Sequence, residues 1–230
     1  MNKLQEKLDF LAEKYELKCR PQLKDCQTVI IDGTEYPLFP HRAERRFIEL
    51  KNIAGNGTLK GISVMRVQRI TQIGADVYSE LKREADICRF VLQSEIKTVT
   101  VMQNDNVLNA VLRTDDGIVI TIEISATLKC GTEPKDKHEI ISERGIACDI
   151  VVDAQIKQDS VYIYGENEEK FTDVDFELYG LSINEIATVR SAAALAQSVR
   201  FSDALENEKI LNNLIAHAKA SAESGEREEL

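Results

Sequence analysis

The sequence predicts an α+β fold, a mostly antiparallel sheet of five to seven strands with helices packed on one face. Three observations predict it. Apolar residues recur at helical spacing towards both ends of the chain, while the middle third reads as short extended runs. Those runs are separated by tight-turn residues, which join neighbouring strands as hairpins rather than through helical crossovers. The length of 230 residues, 43% of them hydrophobic, is enough for a core that needs no staple.

The elements follow in order. Residues 3–17 read as a helix, because Leu4, Leu8, Leu11 and Tyr15 form one apolar stripe opposite Lys and Glu. Thr28 to Ile31 is a short buried strand that ends at the turn Asp32-Gly33. Pro37 and Pro40 hold the next segment extended. A helix over 42–54 stops at Gly55-Asn56-Gly57. Ile62 to Ile70 is a strand whose apolar phase slips at Arg66, which suggests a bulge. Residues 76–92 return to helical period, with Val77, Leu81, Ala85, Cys88 and Leu92 on one face. Strands are expected at 99–102, 107–112, 118–124, 139–141 and 160–164, separated by Asp, Asn and Gly turns. Val107, Ala110, Leu112 and Ile118, Ile120, Ile122 and Ile124, with Val111 and Val119 opposite, suggest strands that are apolar on both faces. Ser182 and Glu185 form a capping box at the start of a helix. The last helix covers 203–220, with Leu205, Ile210, Leu214 and His217 near one face, and residues 223–230 should fray. This divides the chain into an N-terminal helix and linker (1–25), the α+β domain (26–200), and a C-terminal helix with an acidic tail (201–230).

Charge and cysteine usage narrow the function. Lys and Arg number 29 against 39 Asp and Glu, a net charge of −10, which argues against nucleic acid as a partner. No apolar run approaches the roughly 20 residues of a membrane helix, and no signal segment follows Met1. The five cysteines contain no C-x-x-C pair, and the three histidines are far apart, so no metal is expected and the thiols read as reduced, in the cytoplasm. Neither phosphate-cradling glycine loop is present, so no nucleotide cofactor is expected, and there is no G-x-S-x-G elbow.

Two polar clusters are candidates for binding. His41, Arg42, Arg45 and Arg46 place three guanidinium groups within five residues, suited to a carboxylate or phosphate. On helix 76–92, Ser79, Arg83 and Asp86 share one stripe and Glu80 and Glu84 a parallel one, where paired carboxylates suit acid–base work. The plain alternative for both is a solvated helix surface. His138, ahead of an apolar strand, reads as an edge or capping side chain rather than a base. Asp173, Asp175 and Glu177 alternate on an extended stretch but lack the spacing of a calcium loop.

Several stretches then resemble one family. Glu44-Arg45-Arg46-Phe47, Leu50-Lys51-Asn52-Ile53 with Gly57-Thr58-Leu59, Asp86 to Leu92, the hairpin Asn106 to Ile124, and His138 to Gly145 occur in an order similar to the C-terminal domain of the glucose–fructose oxidoreductase/inositol dehydrogenase (Gfo/Idh/MocA) family. The resemblance covers residues 3–200, with Leu4 to Leu17 as the last helix of that family's dinucleotide-binding domain. It implies an oxidoreductase fold without the oxidoreductase's chemistry. The family's catalytic lysine sits in an E-K-P motif that does not occur here, and its acidic and histidine positions on helix 76–92 fall on Ser79 and Arg83, or in a slipped register on Glu80 and Glu84.

These readings favour a non-catalytic, oxidoreductase-derived binding or assembly module, a homodimer through its sheet, with a small anionic ligand at Arg83 if the pocket persists. The alternative is the substrate domain of a two-chain NAD(P)-dependent dehydrogenase whose nucleotide-binding subunit is a separate protein. A third reading is an enzyme of another class that works on a small anion with Glu80, Arg83 and Glu84.

Overall fold

The computed structural model describes residues 2–149, 160–164, 168–172 and 175–230. In chain order the elements are α1 (Asn2–Lys14), β1 (Gln22–Leu23), β2 (Thr28–Ile31), β3 (Thr34–Pro37), a 3₁₀ turn (Pro40–Ala43), α2 (Arg45–Gly55), β4 (Ile62–Gln72), α3 (Val77–Leu92), β5 (Ile96–Asn104), β6 (Val107–Thr114), β7 (Val119–Leu128), β8 (Lys135–Ser142), β9 (Gly145–Cys148), β10 (Ser160–Tyr164), β11 (Glu168–Thr172), α4 (Ile183–Ser198), α5 (Phe201–Ser224) and β12 (Glu228–Glu229). The class is α+β, as the sequence predicts. The chain forms two compact units, Met1–Glu44 with Asp149–Phe201 and Arg45–Cys148 with Ser202–Leu230.

In the first unit, Leu4, Leu8 and Leu11 of α1 pack with Val29, Ile31, Leu178, Val189, Ala192 and Ala196. Tyr15 leaves the predicted stripe, because the helix ends at Lys14 and Glu16 turns left-handed at φ 49°. Asp32 and Gly33 both have positive φ, 51° and 79°, which the two-residue hairpin between β2 and β3 requires. The helix expected from residue 42 starts instead at Arg45. Pro40 opens a separate 3₁₀ turn, and Glu44 breaks it with an extended ψ of 128°. The capping box of α4 is present: the Glu185 carboxylate accepts from the Ser182 amide at 2.7 Å, and the Ser182 hydroxyl accepts from the Glu185 amide at 3.4 Å. The turn expected at 165–167 lies outside the described residues.

The second unit is built on a seven-stranded sheet in the order β12-β5-β6-β7-β4-β8-β9. Every pairing is antiparallel except β4 with β7. Phe47 and Leu50 of α2, much of α3, and Leu214 and Ala218 of α5 form one core with the sheet's inward side chains.

The strands are not apolar on both faces. Leu108, Ala110, Leu112, Ile120, Ile122 and Ile124 all point inward, whereas Val107 and Val111 lie outward beside Asn109 and Glu123. Val107 therefore sits opposite Ala110 and Leu112 rather than with them. The expected slip at Arg66 is also absent. β4 alternates regularly with Met65, Val67 and Thr71 inward, and its register shifts only near its ends, at Ile62/Val64 and Thr71/Gln72. Arg69 holds an inward position between Val67 and Thr71, and this charge hides the true phase from an apolar reading.

The buried face of α5 is Ala204, Asn207, Leu211, Leu214, Ala218 and Ser221, with Leu205 half exposed. Leu211 and Leu214 share that face with small and polar side chains, so an apolar reading finds Leu214 and misses Ala204, Asn207, Ala218 and Ser221. Residues 223–230 do not fray. Glu228 and Glu229 pair with Val99 and Thr98 at the β5 edge, and the Leu230 amide donates to the Lys97 carbonyl at 2.8 Å. None of the five cysteines is in a disulfide, and among the described residues no helix is long and apolar enough to cross a membrane.

Candidate functional site

Strand and helix periods bring a polar cluster together inside the second unit. Asp136 and His138 are two apart on β8 and share its inward face, with Arg69 and Val67 as register partners on β4. Glu80, Arg83 and Glu84 are three and four apart on α3 and meet those strands. Arg46 and Phe47 come from the first turn of α2.

Asp136 is the hub. Arg46 donates to its two oxygens at 2.5 and 3.0 Å, Arg69 at 3.1 Å and Arg83 at 3.4 Å. Glu84 is ion-paired with Arg83 and lies 2.7 Å from the His138 Nε2. Arg69 also donates to Glu80 at 2.8 Å, and the Thr71 hydroxyl reaches the other Glu80 oxygen at 3.3 Å. The His138 ring stands edge-on to Phe47, with centroids 4.8 Å apart. Glu84 and His138 have no exposed side-chain surface, whereas Arg46 and Arg83 keep 22% and 23% of theirs.

Three guanidinium groups thus face three carboxylates, with His138 beside them. Burial pushes the Glu84 carboxyl up, but Arg83 and the hydrogen bond from His138 outweigh it and hold it down at about 2. Burial acts on Asp136 in the same direction and is overcome by the Arg46 fork and then by Arg83, which keep it well below the usual carboxylate range. Both carboxylates are ionised near neutral pH.

The ligand atoms of Glu84, Asp136 and His138 lie within 4.8 Å of one another, the arrangement of a three-ligand metal site. The donor set does not suit a cation. Arg46, Arg69 and Arg83 already hold both carboxylates, and a divalent ion would add its charge to theirs. The N-termini of α3 and α4 do not suit a dinucleotide's pyrophosphate either. At α3 the Asp76 carboxylate accepts from the Tyr78 amide at 3.0 Å and the Ser79 hydroxyl at 2.7 Å, which puts a negative charge where a phosphate would need bare amides. At α4 Glu185 and Ser182 fill the corresponding place.

Of the nine side chains singled out in the sequence, Arg46, Glu80, Arg83 and Glu84 converge. Ser79 bonds to Asp76, and Arg45 is exposed at the start of α2. Asp86 is fully buried away from Arg83, accepting from Asn207 of α5 at 2.9 Å, with Arg89 at 3.8 Å. The helix surface is therefore not a solvated stripe. Glu84, Asp86 and Arg89 are all buried, because α3 packs on the sheet and both neighbouring helices. His41 and Arg42 belong to the first unit, where both pack on Phe39, the Arg42 guanidinium 4.8 Å over its ring.

His138 is a buried partner of Glu84 rather than an edge or capping residue. Arg69 and Asp136 escaped sequence reasoning. The available signal was a charge at an inward strand position and an Asp-x-His pair at strand spacing. Asp173 lies outside the described residues. Asp175 and Glu177 lie on the turn before α4, not on a strand, and Arg190 binds both, at 2.8 and 2.5 Å.

No protein-family model and no curated protein matches the sequence. Solved structures do. A myo-inositol dehydrogenase from Corynebacterium glutamicum superposes with a TM-score of 0.61 at 16% identity, covering 84% of this chain and 63% of its own. The scyllo-inositol dehydrogenase of Lactobacillus casei, solved with NAD(H) and scyllo-inositol, gives 0.60 at 14% identity, with 83% and 63% covered. The myo-inositol dehydrogenase of the same organism, with NAD(H) and myo-inositol, gives 0.57 at 18% identity, with 84% and 60% covered. The chain has an inositol-dehydrogenase-like fold. It spans 60 to 63% of the length of these three enzymes, and the resemblance read in the sequence is present at the level of fold.

Proposed function

We propose that this chain is a non-catalytic, oxidoreductase-derived module that works in binding or assembly in the cytoplasm, as a homodimer through the outer face of its sheet. The state of Arg83 carries the reading. The resemblance implies a catalytic histidine at this position in one register and at Glu84 in the slipped one. Arg83 is instead a permanent cation held by Glu84 and Asp136. Of the titratable groups in the cluster, Glu84 and His138 have no exposed side-chain surface and Asp136 keeps 7%, which leaves them little access to a substrate. Five cysteines outside any disulfide suit a reducing compartment.

A second reading is the substrate domain of a two-chain dehydrogenase. What favours it is the covered length: structures solved with NAD(H) are matched over only 60 to 63% of their chains. Calorimetric titration with NAD and NADP, oxidised and reduced, separates the two. The purified chain should show no binding tighter than about 1 mM. Micromolar binding, or recovery of micromolar binding with a co-purifying nucleotide-binding subunit, would replace the first reading with the second.

A further inference from the structure

An ordinary ion pair joins one cation to one anion. Asp136 instead receives guanidinium groups from three separate elements, Arg46 of α2, Arg69 of β4 and Arg83 of α3. Arg46 approaches with two parallel donors on the two oxygens, the fork geometry by which arginine reads a planar carboxylate. The carboxylate is 7% exposed, so water competes little for it, while the 22% and 23% exposure of Arg46 and Arg83 leaves the outer side of the cradle in reach of solvent.

We propose that Arg46, Arg69 and Arg83 form a carboxylate seat, that Asp136 of the same chain occupies it as a resident pseudo-ligand, and that the seat takes a free small monocarboxylate once that side chain is removed. Without Asp136, the Arg46 fork and the donors of Arg69 and Arg83 lose the carboxylate they share, and a free carboxylate of the same shape can meet them in its place. Replacing Asp136 with alanine deletes a group the size of formate and leaves its donors in place. This deepens the reading of the cluster as closed rather than catalytic, and rests on it. The small anion that the arginines suggest in the sequence is supplied by the chain itself.

Asp136→Ala should melt roughly 10 °C below the wild type. Formate at about 100 mM should return about 3 °C or more of that loss, while chloride at the same ionic strength should not. The wild type, its seat filled, should not respond to formate. Neither should Asp136→Asn, which keeps the space occupied, nor Asp136→Ala combined with Arg46→Ala, which lacks the fork. If Asp136→Ala does not fold in chloride, the yield of soluble refolded protein in formate against chloride gives the same answer. Equal shifts in chloride and formate, an equal formate shift in the wild type, or no gain in either stability or yield would overturn the seat. Micromolar nucleotide binding by the wild type would strike the non-catalytic reading and leave the formate result standing.

Discussion

Glu84 shows how a buried charge is kept. Burial pushes its carboxyl up, yet Arg83 and His138 outweigh it and hold it at about 2. Its folded pKa lies below the ordinary 4.5, so its contribution to stability is full above 4.5 and disappears as pH falls through about 2. Glu84→Gln should therefore be less stable by about 3 kcal/mol near neutral pH, since it strands Arg83 without its nearest counter-charge. Urea unfolding of the two proteins should show that difference shrinking from pH 4.5 towards 2, and a constant difference would mean that Glu84 is not ionised in the fold. At this scale the sequence is legible only in part. Arg46, Arg83 and Glu84 stand out as charges on short local patterns. Their partners Asp136 and His138 lie 53 and 54 residues from Arg83 and Glu84, and register alone brings them together. Nothing local in Asp136 announces three arginines.

Elements formed by neighbouring residues were readable, and those that depend on a distant edge were not. The Asp32-Gly33 hairpin and the Ser182–Glu185 cap match expectation because their chemistry is complete within a few residues. The segment after α5 looks like a solvated acidic tail because its partner, the β5 edge, is about 130 residues earlier, as Leu230 and Lys97 show. That edge would otherwise present unpaired backbone groups. The Ser221 hydroxyl accepts from the Val101 amide at 3.0 Å and donates to the Glu226 carbonyl at 2.6 Å, so one side chain fixes both the edge and the return of the chain. Ser221→Ala leaves a buried amide without its acceptor and should cost about 1–3 kcal/mol in chemical denaturation. Deleting residues 225–230 should add concentration-dependent association, read by light scattering, because it uncovers β5 from Lys97 to Val99. A truncated protein that stays as dispersed as the full chain would show that β12 does not guard the edge.

For the molecule as a whole, the fold class was readable because most of the sheet is built from hairpins. The parallel β4–β7 pair and the division into two units were not, since both join residues far apart in sequence. The proposed dimer puts its interface on the outer sheet face. Register lines up Thr100, Val111, Thr121, Arg66, Glu139 and Cys148 in one row, with Met102, Asn109, Glu123, Gln68 and Lys137 in the next. This face is mixed rather than apolar, yet it exposes Met102 at 68%, Val111 at 44% and Ile146 at 64%, and a non-obligate interface needs no more apolar surface than that. Arg66 and Lys137 both lie beside Glu139, and Gln68 donates to Glu123, so a two-fold axis through the face can set charges of opposite sign against one another on a second copy. The wild type should sediment as a dimer at micromolar concentration. Val111→Lys should keep its circular dichroism, because the side chain is already exposed, and weaken the dimer by about tenfold or more through the charge it brings to the interface. Ile122→Lys is the contrast: that side chain is 1% exposed on the inward face, and the variant should fail to fold rather than dissociate. A wild type that is monomeric at every concentration, or a Val111→Lys protein that dimerises as tightly as the wild type, would move the interface off this face.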